Sequence, residues 1–304
     1  MYDVSIITVN YNSSDDTLNM IASVGEKTAL RYEIIVVDNN STLEEYKKLS
    51  HLNSLENVKV VRSRINLGFS GGNMLGVNTC SEKSKYLFFL NNDTILINNA
   101  IDILFKDCEE NNKIGLISPQ QFDENKNIVS SFKYFPNALE SFLGKGFINL
   151  ISSKKRYSNK KTYNSIIEVG VVSGASMFFN RQCFNKTKGF DTNFFLYCEE
   201  EDISREVWKN DYKVCFDSKS KIMHFCGKST TRSYEIEREA IISYYRLIEK
   251  HLGFFNRNFL KIYMIIKFFK KRKLSKKNKK LFNFLLTNNK EKHSLKYSQK
   301  PTSE

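Results

Sequence analysis

Short apolar runs and amphipathic stretches alternate along the first 119 residues. The apolar runs have the length and the β-branched or aromatic content of strands, and they are VSIITVNY (4–11), EIIVVDN (33–39), VKVVRS (58–63), YLFFLN (86–91) and IGLISP (114–119). The stretches between them predict helices at about 14–28, 41–52, 71–83 and 98–111, with Ser13 and Ser41 as N-caps. This alternation predicts an α/β fold with a mostly parallel sheet that is covered on both faces.

The carboxyl ends of these predicted strands are polar. TVNYN, VVDNNS and FLNNDT carry amides, acids and hydroxyl groups at the points where the apolar runs stop. Ligands of parallel α/β sheets bind beyond the carboxyl ends of the strands. The pattern therefore predicts a binding site along this one edge of the sheet.

The regular alternation is lost over residues 120–168, which are rich in Asn, Lys, Ser and aromatic residues and predict no clear element. A strand is expected at VGVVSGASMFFNR (169–181), whose small central residues permit a close approach of ligand or backbone. The later pattern predicts a helix at about 199–210, a short strand at KVCFD (213–217), helices at 232–252 and 254–270, and a low-complexity tail at 270–304.

The formal net charge of +14 is concentrated at the carboxyl end of the chain. Residues 256–304 carry 15 Lys and Arg against 2 Asp and Glu, which leaves residues 1–255 with a net charge of +1. A basic tail by itself favours a nucleic-acid binder, but the nearly neutral body argues against this non-enzymatic alternative. We therefore expect no nucleic-acid partner.

Cysteine spacing and the amino-terminal sequence bear on location. The six cysteines form no C-x-x-C pair, so neither a zinc ribbon nor a disulfide framework is predicted. The opening MYDVSIITVNYN lacks the features of a signal peptide, and the apolar run FLKIYMIIKFF (259–269) is short and contains two lysines. These features predict a reduced, cytoplasmic location with at most peripheral membrane contact.

Four consecutive acids follow an aromatic run in FFLYCEEED (194–202). Adjacent carboxylates repel each other, so at least one of them is expected to titrate abnormally if the site is enclosed. Acids also stabilise the N-terminus of a helix through its dipole. The residues alone leave both a catalytic cluster and a simple helix start open.

Seven motifs occur in the order IITVNYN, VVDNNS, NLGFSGGN, LNNDT, VSGASMFFNR, GFDTNFFLYCEEED and H-x-x-G-K-S, over about residues 3–250. This ordered set resembles the family 2 glycosyltransferases, most closely their bacterial rhamnosyltransferase-like branch, which builds capsule, O-antigen or cell-wall glycans. The resemblance implies a GT-A fold, a nucleotide-sugar donor, a divalent metal ion and inversion at the anomeric carbon. It also implies a GT-A domain over 1–253, with a nucleotide-binding half (1–119) and an acceptor and catalytic half (120–253), before a helical, basic extension (254–304).

By this resemblance, the polar strand ends and the glycine-rich loop hold the donor. Asp38 would accept a hydrogen bond from the imide N–H of uracil or thymine, with Val9 and Tyr11 enclosing the base. The further donor contacts that the resemblance implies are Asn66, Gly72, Asn73, Asn91, Asn92, Lys228 and Ser229. From the residues alone, Asp38 with Ser41 also fits the start of a helix.

LNNDT stands in the place of the family's D-x-D metal motif, with Asp93 as its one acid. Hard divalent cations take oxygen ligands and keep several waters, so the resemblance implies that Asp93 binds Mg²⁺ or Mn²⁺ beside the donor diphosphate. His224 stands where related transferases place a metal-ligating histidine. The alternatives, an Asn-Asp turn and a structural histidine, stay open.

The resemblance also implies roles within the acid cluster. On the family's aromatic-x-E-D-x-D pattern, Glu199 and Glu200 take the E-D places and Asp202 the last place. Glu200 is then the general base, and Glu199 is the base if the register shifts by one. Glu201 stands where the family commonly has an apolar residue, and at i, i+4 it is expected to pair with Arg205 on the surface.

These assignments predict a metal-dependent, inverting hexosyltransferase. Its donor would be a nucleotide diphosphate sugar, with dTDP-L-rhamnose favoured, and its acceptor a hydroxyl of a lipid-linked or growing surface polysaccharide. The alternative enzyme is a nucleotidyltransferase on a similar α/β scaffold. That enzyme would need a Gly/Arg-rich loop directly after the first strand, where VNYNSSDD contains neither Gly nor Arg.

The segment 254–270 predicts an amphipathic helix that a Lys-rich run, KKRKLSKKNKK, follows. One face carries Phe255, Phe259, Ile262, Ile266 and Phe269, and the other carries Arg257, Lys261 and Lys271. This combination is typical of attachment to an anionic membrane surface. We expect peripheral attachment at the inner face of the cell membrane, near a lipid-linked acceptor; a docked helix with a solvated tail is the alternative.

Overall fold

A large mixed sheet forms the centre of the structure, a computed structural model that describes residues 2–135, 156–225 and 233–301. The strands within these ranges are β1 Val4–Asn10, β2 Tyr32–Asp38, β3 Val58–Arg62, β4 Tyr86–Leu90, β5 Thr94–Leu96, β6 Ile114–Phe122, β7 Ile128–Val129, β8 Phe132–Lys133, β9 Ile167–Glu168, β10 Val171–Val172, β11 Ser176–Asn180 and β12 Lys213–His224. Ten of these described strands form one sheet in the order β3-β2-β1-β4-β11-β6-β12-β5, with β7 paired to β6 and β9 to β12. The other two, β8 and β10, form a separate ribbon.

Helices cover both faces of this sheet. Those in the described residues are α1 Ser14–Lys27, α2 Leu43–Ser50, α3 Gly68–Thr79, α4 Ala100–Glu110, α5 Arg181–Thr187, α6 Glu199–Lys209, α7 Tyr234–His251, α8 Phe254–Lys271 and α9 Lys276–Leu285. Short 3-10 turns lie at His51–Ser54, Lys290–His293 and Leu295–Ser298. Successive strand residues point to opposite faces, so Ile6 and Phe88 pack with α1 and α4, whereas Ile7 and Phe89 pack with α3 and α6.

The predicted parallel half of the sheet is confirmed. β1 pairs in parallel with both β2 and β4, and β2 pairs in parallel with β3. The predicted bounds of these four strands differ from the observed ones by one residue at most at each end. Their register places Asn10 beside Asp38 at the carboxyl edge, where the sequence predicted a ligand site.

The helix caps differ from the prediction at one of two places. α2 is capped by Thr42, whose hydroxyl accepts from the Glu45 backbone N–H at 3.4 Å. The predicted cap, Ser41, instead accepts from the Asn12 backbone N–H at 2.9 Å and so fixes the loop after β1. Ser13 does stand at the N-cap position of α1, but its side chain makes no capping bond.

The strands after β4 differ from the prediction in several places. Residues 120–168, where no clear element was predicted, contain the short strands β7, β8 and β9. Residues 169–181 form two strands, β10 and β11, rather than one, because the small residues Ser173, Gly174 and Ala175 make a turn between them. KVCFD does not end at Asp217 but continues to His224 as β12, with a register shift at its polar centre. β5 was not predicted, and it pairs antiparallel with the end of β12.

The carboxyl-terminal part of the chain is folded, which corrects the predicted low-complexity tail at 270–304. Leu281, Phe284 and Leu285 of α9 are buried in a cluster with side chains of α7 and α8. Glu239 of α7 accepts from the Ser294 hydroxyl at 2.8 Å and also from the backbone that follows it. The many lysines of this segment obscured the few apolar positions that form its core.

α8 has two apolar faces with different surroundings. The inner face carries Leu260, Met264, Ile265 and Phe268, which pack toward α7 and α9. The outer stripe consists of the predicted residues Phe255, Phe259, Ile262, Ile266 and Phe269, whose exposed fractions range from 39% to 86%. In the described parts of the chain, none of the helices combines the length and the apolarity that crossing a bilayer requires.

Candidate active site

The carboxyl ends of β1, β2 and β3 meet in a polar cluster around Asp38, which is fully buried. The Asn10 amide donates to Asp38 Oδ1 at 3.0 Å, while the Ser41 backbone N–H and Arg62 Nε approach Oδ2 at 3.3 and 3.4 Å. These partners engage both carboxylate oxygens. A nucleobase imide would therefore have to share or replace one of them, and base recognition by Asp38 stays a prediction.

Val9 and Tyr11 lie at the end of β1, next to this cluster. Tyr11 is 51% exposed, and an exposed aromatic ring offers a surface on which a base can stack. Val9 packs against α3: a Cβ added at Gly72 would lie 3.0 and 3.1 Å from the two Val9 methyl carbons. Gly72 thus allows α3 to approach β1 closely, and its direct contact with a donor stays a prediction.

Asn39 holds the glycine-rich loop in place. Its amide donates to Asn66 Oδ1 at 2.9 Å and to the Gly68 carbonyl at 3.1 Å, and its oxygen accepts from the Leu67 backbone N–H at 2.8 Å. The loop is therefore fixed to the end of β2 through side-chain bonds. Asn66 accepts one of these hydrogen bonds. Its predicted contact with the nucleotide-sugar donor stays a prediction.

The same loop is also joined to the segment before the acid cluster. The Phe69 backbone N–H donates to the Phe195 carbonyl at 2.8 Å. Gly68 has φ +70°, and a Cβ there would lie 2.1 Å from the same carbonyl oxygen, so only glycine fits. Asn73 is buried and its amide donates to the Phe69 carbonyl within α3, so its predicted donor contact stays a prediction.

Asp93 and His224 are brought together by the pairing of β5 with β12, which sets His224 opposite Thr94. Asp93 Oδ1 lies 3.3 Å from His224 Nε2, and the two side chains are 17% and 14% exposed. In octahedral coordination, two neighbouring ligand atoms that each lie about 2.1 Å from the ion are about 3 Å from each other. The distance between Asp93 Oδ1 and His224 Nε2 therefore fits Mg²⁺ or Mn²⁺, and we call these two residues the candidate metal pair. Lys228 and Ser229, predicted beside the diphosphate, lie outside the described residues.

Asn91 and Asn92, which precede the candidate metal pair, make structural bonds. The Asn92 amide donates to the Ser13 hydroxyl at 2.7 Å and to the Thr17 hydroxyl at 3.0 Å, so it joins the end of β4 to the start of α1. The Asn91 backbone N–H donates to the Ala175 carbonyl at 2.9 Å. Their predicted contacts with the donor stay predictions.

The acid cluster begins α6 at Glu199, as the sequence predicted. Its four carboxylates lie in the first turn, where the helix dipole stabilises negative charge. The two residues before it, Tyr197 and Cys198, have φ values of +73° and +67°. Left-handed non-glycine residues cost roughly 1–3 kcal/mol each and cluster at functional sites, so this helix start carries more strain than an ordinary one.

Glu200 lies against the turn between β10 and β11. Its Cβ lies 3.8 Å from the position that a Cβ at Gly174 would occupy. The Lys133 ammonium of β8 lies 2.8 Å from Glu200 Oε1 and also contacts Glu201 Oε1. One cation thus bridges two adjacent carboxylates of the acid cluster.

Glu199 and Glu201 are both buried. Burial raises the pKa of Glu199 well above its usual range, and the neighbouring Glu200 carboxylate adds to that shift. Burial also raises the pKa of Glu201 to about 7, with a further contribution from Glu200 and an opposing one from Lys133. The expected surface position of Glu201 is wrong, because the β8–β10 ribbon covers this side of α6, and Arg205 lies over the Phe135 ring.

Asp202 joins α6 to α7. Its Oδ1 lies 2.6 Å from His251 Nε2 and 2.9 Å from Lys250 Nζ, and Lys250 also reaches Asp191 at 3.0 Å. We call Asp202, Lys250 and His251 the Asp202 clamp. Asp202 is nearly inaccessible, so the structure gives it a role in holding α6, and a direct catalytic role stays a prediction.

The carboxylates of Asp202 and Glu206 and the imidazole of His251 lie close enough together to hold a cation. Two ammonium groups already face them, since Lys209 Nζ lies 2.8 Å from Glu206 Oε1 and Lys250 contacts Asp202. A divalent ion would have to displace both charges. This cluster is therefore an ion-pair network, and the candidate metal pair is the better cation site.

Three features of the site were not predicted. Asn39 lies in the quoted VVDNNS, where an amide directly after the strand-end acid was a usable signal. Lys133 lies in the irregular stretch 120–168, and only the alternation of buried Phe132 with Lys133 indicated a strand there. The Asp202 clamp joins residues about 49 positions apart, and no local pattern indicates such a contact.

Known proteins share both the sequence pattern and the fold. Residues 5–184 match the family described as Glycosyl transferase family 2. The Mycobacterium tuberculosis N-acetylglucosaminyl-diphospho-decaprenol L-rhamnosyltransferase is 20% identical over 263 residues, covering 82% of this chain and 85% of the relative. The Escherichia coli K12 rhamnosyltransferase WbbL is 25% identical over 206 residues, covering 66% and 75%.

A solved structure supports the fold. The crystal structure of GalNAc-T7 with UDP, GalNAc and Mn²⁺ superposes with a TM-score of 0.60 at 17% identity. The superposition covers 82% of this chain and 48% of that one. The predicted GT-A fold is thereby confirmed.

Proposed function

The chain belongs to glycosyl transferase family 2, and we propose that it transfers L-rhamnose from dTDP-L-rhamnose, with inversion, to a hydroxyl of a lipid-linked or growing surface glycan. The sugar is supported by two relatives that are named rhamnosyltransferases. The lipid-linked acceptor is supported by the name of the first, which specifies a diphospho-decaprenol carrier.

One observation carries the proposed chemistry: the LNNDT segment and the acid helix meet at the same turn. The Asn91 backbone N–H is bonded to Ala175, and Glu200 lies over the adjacent Gly174. The candidate metal pair and the Glu200 carboxylate therefore lie next to one turn at the carboxyl edge of the sheet, and we place the substrate crevice at this turn. A direct displacement needs this arrangement, with the leaving diphosphate at one side and a base at the other.

Each side chain then has a defined task. Glu200 accepts the proton of the acceptor hydroxyl as that oxygen attacks the anomeric carbon. Asp93 and His224 would hold Mg²⁺ or Mn²⁺, which supplies charge stabilisation for the leaving diphosphate. Tyr11 and Val9 would border the base of the donor, so that its sugar is directed toward the turn at Gly174.

A panel of nucleotide sugars distinguishes the donors. We expect dTDP-L-rhamnose with Mn²⁺ to raise the unfolding midpoint more than the other donors at equal concentration, because the donor with the lowest Kd stabilises the folded state most. A ligand at 100 times its Kd contributes about 2.7 kcal/mol. The same donor should be consumed in a transfer assay with a polyprenyl diphosphate N-acetylglucosamine acceptor. A larger shift and faster transfer with a UDP-hexose would contradict the rhamnose assignment, and no response to any nucleotide sugar would contradict the transferase.

We also propose that the outer stripe of α8 attaches the protein to an anionic membrane surface. The stripe is apolar and exposed, and exposed lysines on and just after the helix surround its carboxyl end, at Lys267, Lys270, Lys271 and Lys273. Basic residues near an anionic leaflet contribute about 1 kcal/mol each. Attachment there would bring the crevice to a lipid-linked acceptor.

Serine substitution of Phe255, Ile262 and Ile266 together should abolish binding to vesicles that contain phosphatidylglycerol. These side chains face outward, so the loss of stripe surface should leave the folded core intact. Co-sedimentation at low salt measures the binding, and the unfolding midpoint checks the fold. Truncation after Gly253 is a poorer test, because it would expose the apolar surface of α7 that α9 covers.

A matched control replaces three exposed apolar residues elsewhere, Leu43, Leu55 and Ile97, with serine. Their exposed fractions, 40% to 47%, are similar to those in the lower half of the outer stripe. The control variant should sediment with vesicles as the wild type does. Equal sedimentation of the stripe variant and the wild type would show that the stripe is not the anchor.

A further inference from the structure

We propose that Lys133 is a positioning residue for catalysis, whose ammonium group holds the Glu200 carboxylate over the crevice and keeps it ready to accept a proton. This inference rests on the proposed function, in which Glu200 is the general base. It adds a residue from outside the acid helix, and it gives the β8–β10 ribbon a role in the reaction.

The ribbon fixes the position of Lys133. β8 pairs antiparallel with β10, with Lys133 opposite Val171, and β10 leads directly into the turn at Gly174 that Glu200 covers. Phe132 is buried in the core, so the alternation along β8 directs the next side chain to the opposite face. Lys133 is therefore aimed at α6 by backbone pairing and not by chance surface contact.

The surroundings of Glu200 show why one cation matters. In the described residues, the charged or titratable groups around it are Lys133 from β8, Glu199 and Glu201 on its own helix, and the Cys198 thiol. Glu199 Oε2 is buried and has no hydrogen-bond partner among the described residues. Lys133 is thus a positive charge within the described ranges that meets two of these acids, Glu200 and Glu201, at hydrogen-bond distance.

The physical effect of Lys133 follows from these contacts. Adjacent carboxylates disfavour each other's charge, and one of them takes up a proton unless a cation intervenes. Burial alone would lower the pKa of Lys133, but Glu200 and Glu201 outweigh it and raise that pKa, so the ammonium stays charged throughout the working range. Its charge attracts the Glu200 carboxylate, and its bond to Oε1 fixes the orientation of that carboxylate.

The test compares Lys133→Met, which removes the charge, with Lys133→Arg, which keeps it. In Lys133→Met the acid limb of the kcat–pH profile should move to higher pH by about 1 unit or more. The rate should recover toward wild type above that limb, and the donor KM should change little. Lys133→Arg should restore the wild-type profile. A matched control is Lys85→Met, since Lys85 forms a similar pair with Glu109 at the opposite end of β4.

A second measurement needs no substrate. The unfolding midpoint of Lys133→Met should fall more at pH 8 than at pH 5, because Glu201, whose pKa burial raises to about 7, is charged in the folded protein only at the higher pH. Glu200→Gln in the same chain should reverse part of the loss. A pH-independent fall in both kcat and midpoint would show that Lys133 is merely structural and overturn the inference. If no donor were turned over, the proposed function would fail, and the midpoints would still decide the role of Lys133.

Discussion

Replacing Asp93 with alanine is expected to lower the rate of sugar transfer by at least about 10³-fold. Charge stabilisation of a leaving diphosphate by a metal ion is worth several kcal/mol, and about 1.4 kcal/mol corresponds to a factor of ten. Asp93 is the one acid of LNNDT and lies 3.3 Å from His224. The transfer rate, and the rise in the unfolding midpoint that Mn²⁺ and nucleotide together produce, should both be lost.

The fold should survive this change, because Asp93 lies at a strand end and its backbone carbonyl still accepts from the Phe225 N–H. Asp3→Ala is a matched control: Asp3 is similarly buried and ion-paired, but it precedes β1 at the opposite edge of the sheet. EDTA should inhibit the wild type, with recovery in Mn²⁺ or Mg²⁺. Full activity of the wild type in chelator would contradict metal dependence.

Replacing Glu200 with glutamine should lower kcat by roughly 10²–10⁴-fold, the usual contribution of a general base. The amide has nearly the same shape but cannot accept the proton of the attacking hydroxyl. Lys133 would keep one carboxylate partner, Glu201, so the ribbon should stay in place. The midpoint shift with nucleotide sugar should stay near that of the wild type, which separates the loss of chemistry from a loss of donor binding.

Glu199→Gln distinguishes the two possible registers of the acid cluster. Glu199 is more deeply buried than Glu200. We therefore expect the smaller loss of kcat for this variant. If Glu199→Gln lost most of its kcat and Glu200→Gln stayed active, the general base would be Glu199. If neither mattered, the acids would serve only to start α6.

The parallel half of the fold could be predicted because its strands carry a strong local signal. Continuous apolar runs such as EIIVVD are needed where helices cover both faces, and helical spacing between them completes the pattern. β12 lacks this signal at its centre, where Ser218 and Ser220 are buried. Their hydroxyl groups donate hydrogen bonds to backbone carbonyls of distant residues. Polar residues whose hydrogen-bond partners are distant in the sequence predict a loop, because the sequence pattern does not show those partners.

The candidate site could be predicted in part for the same reason. Asp93 and Glu200 lie in short motifs whose spacing indicates a strand end and a helix start, and both motifs contact the turn between β10 and β11. Lys133 could not be found this way, because its contact with Glu200 spans 67 residues and depends on how the ribbon folds over α6. Buried Asp38 and partly buried Asn92 were given roles toward a donor, whereas the structure shows how much of their bonding capacity the protein itself uses.

The Asp202 clamp also defines what can be exchanged between relatives. The family match ends at residue 184, before α6, yet α6 is held by Lys250 and His251 at the end of α7, a helix that packs with α8 and α9. A chimera that took α7–α9 from another protein would leave Asp202 buried without Lys250 and His251, and an unpaired buried charge is strongly destabilising. An exchange between relatives should therefore start before Asp191, so that α6 and the helices α7–α9 come from the same protein.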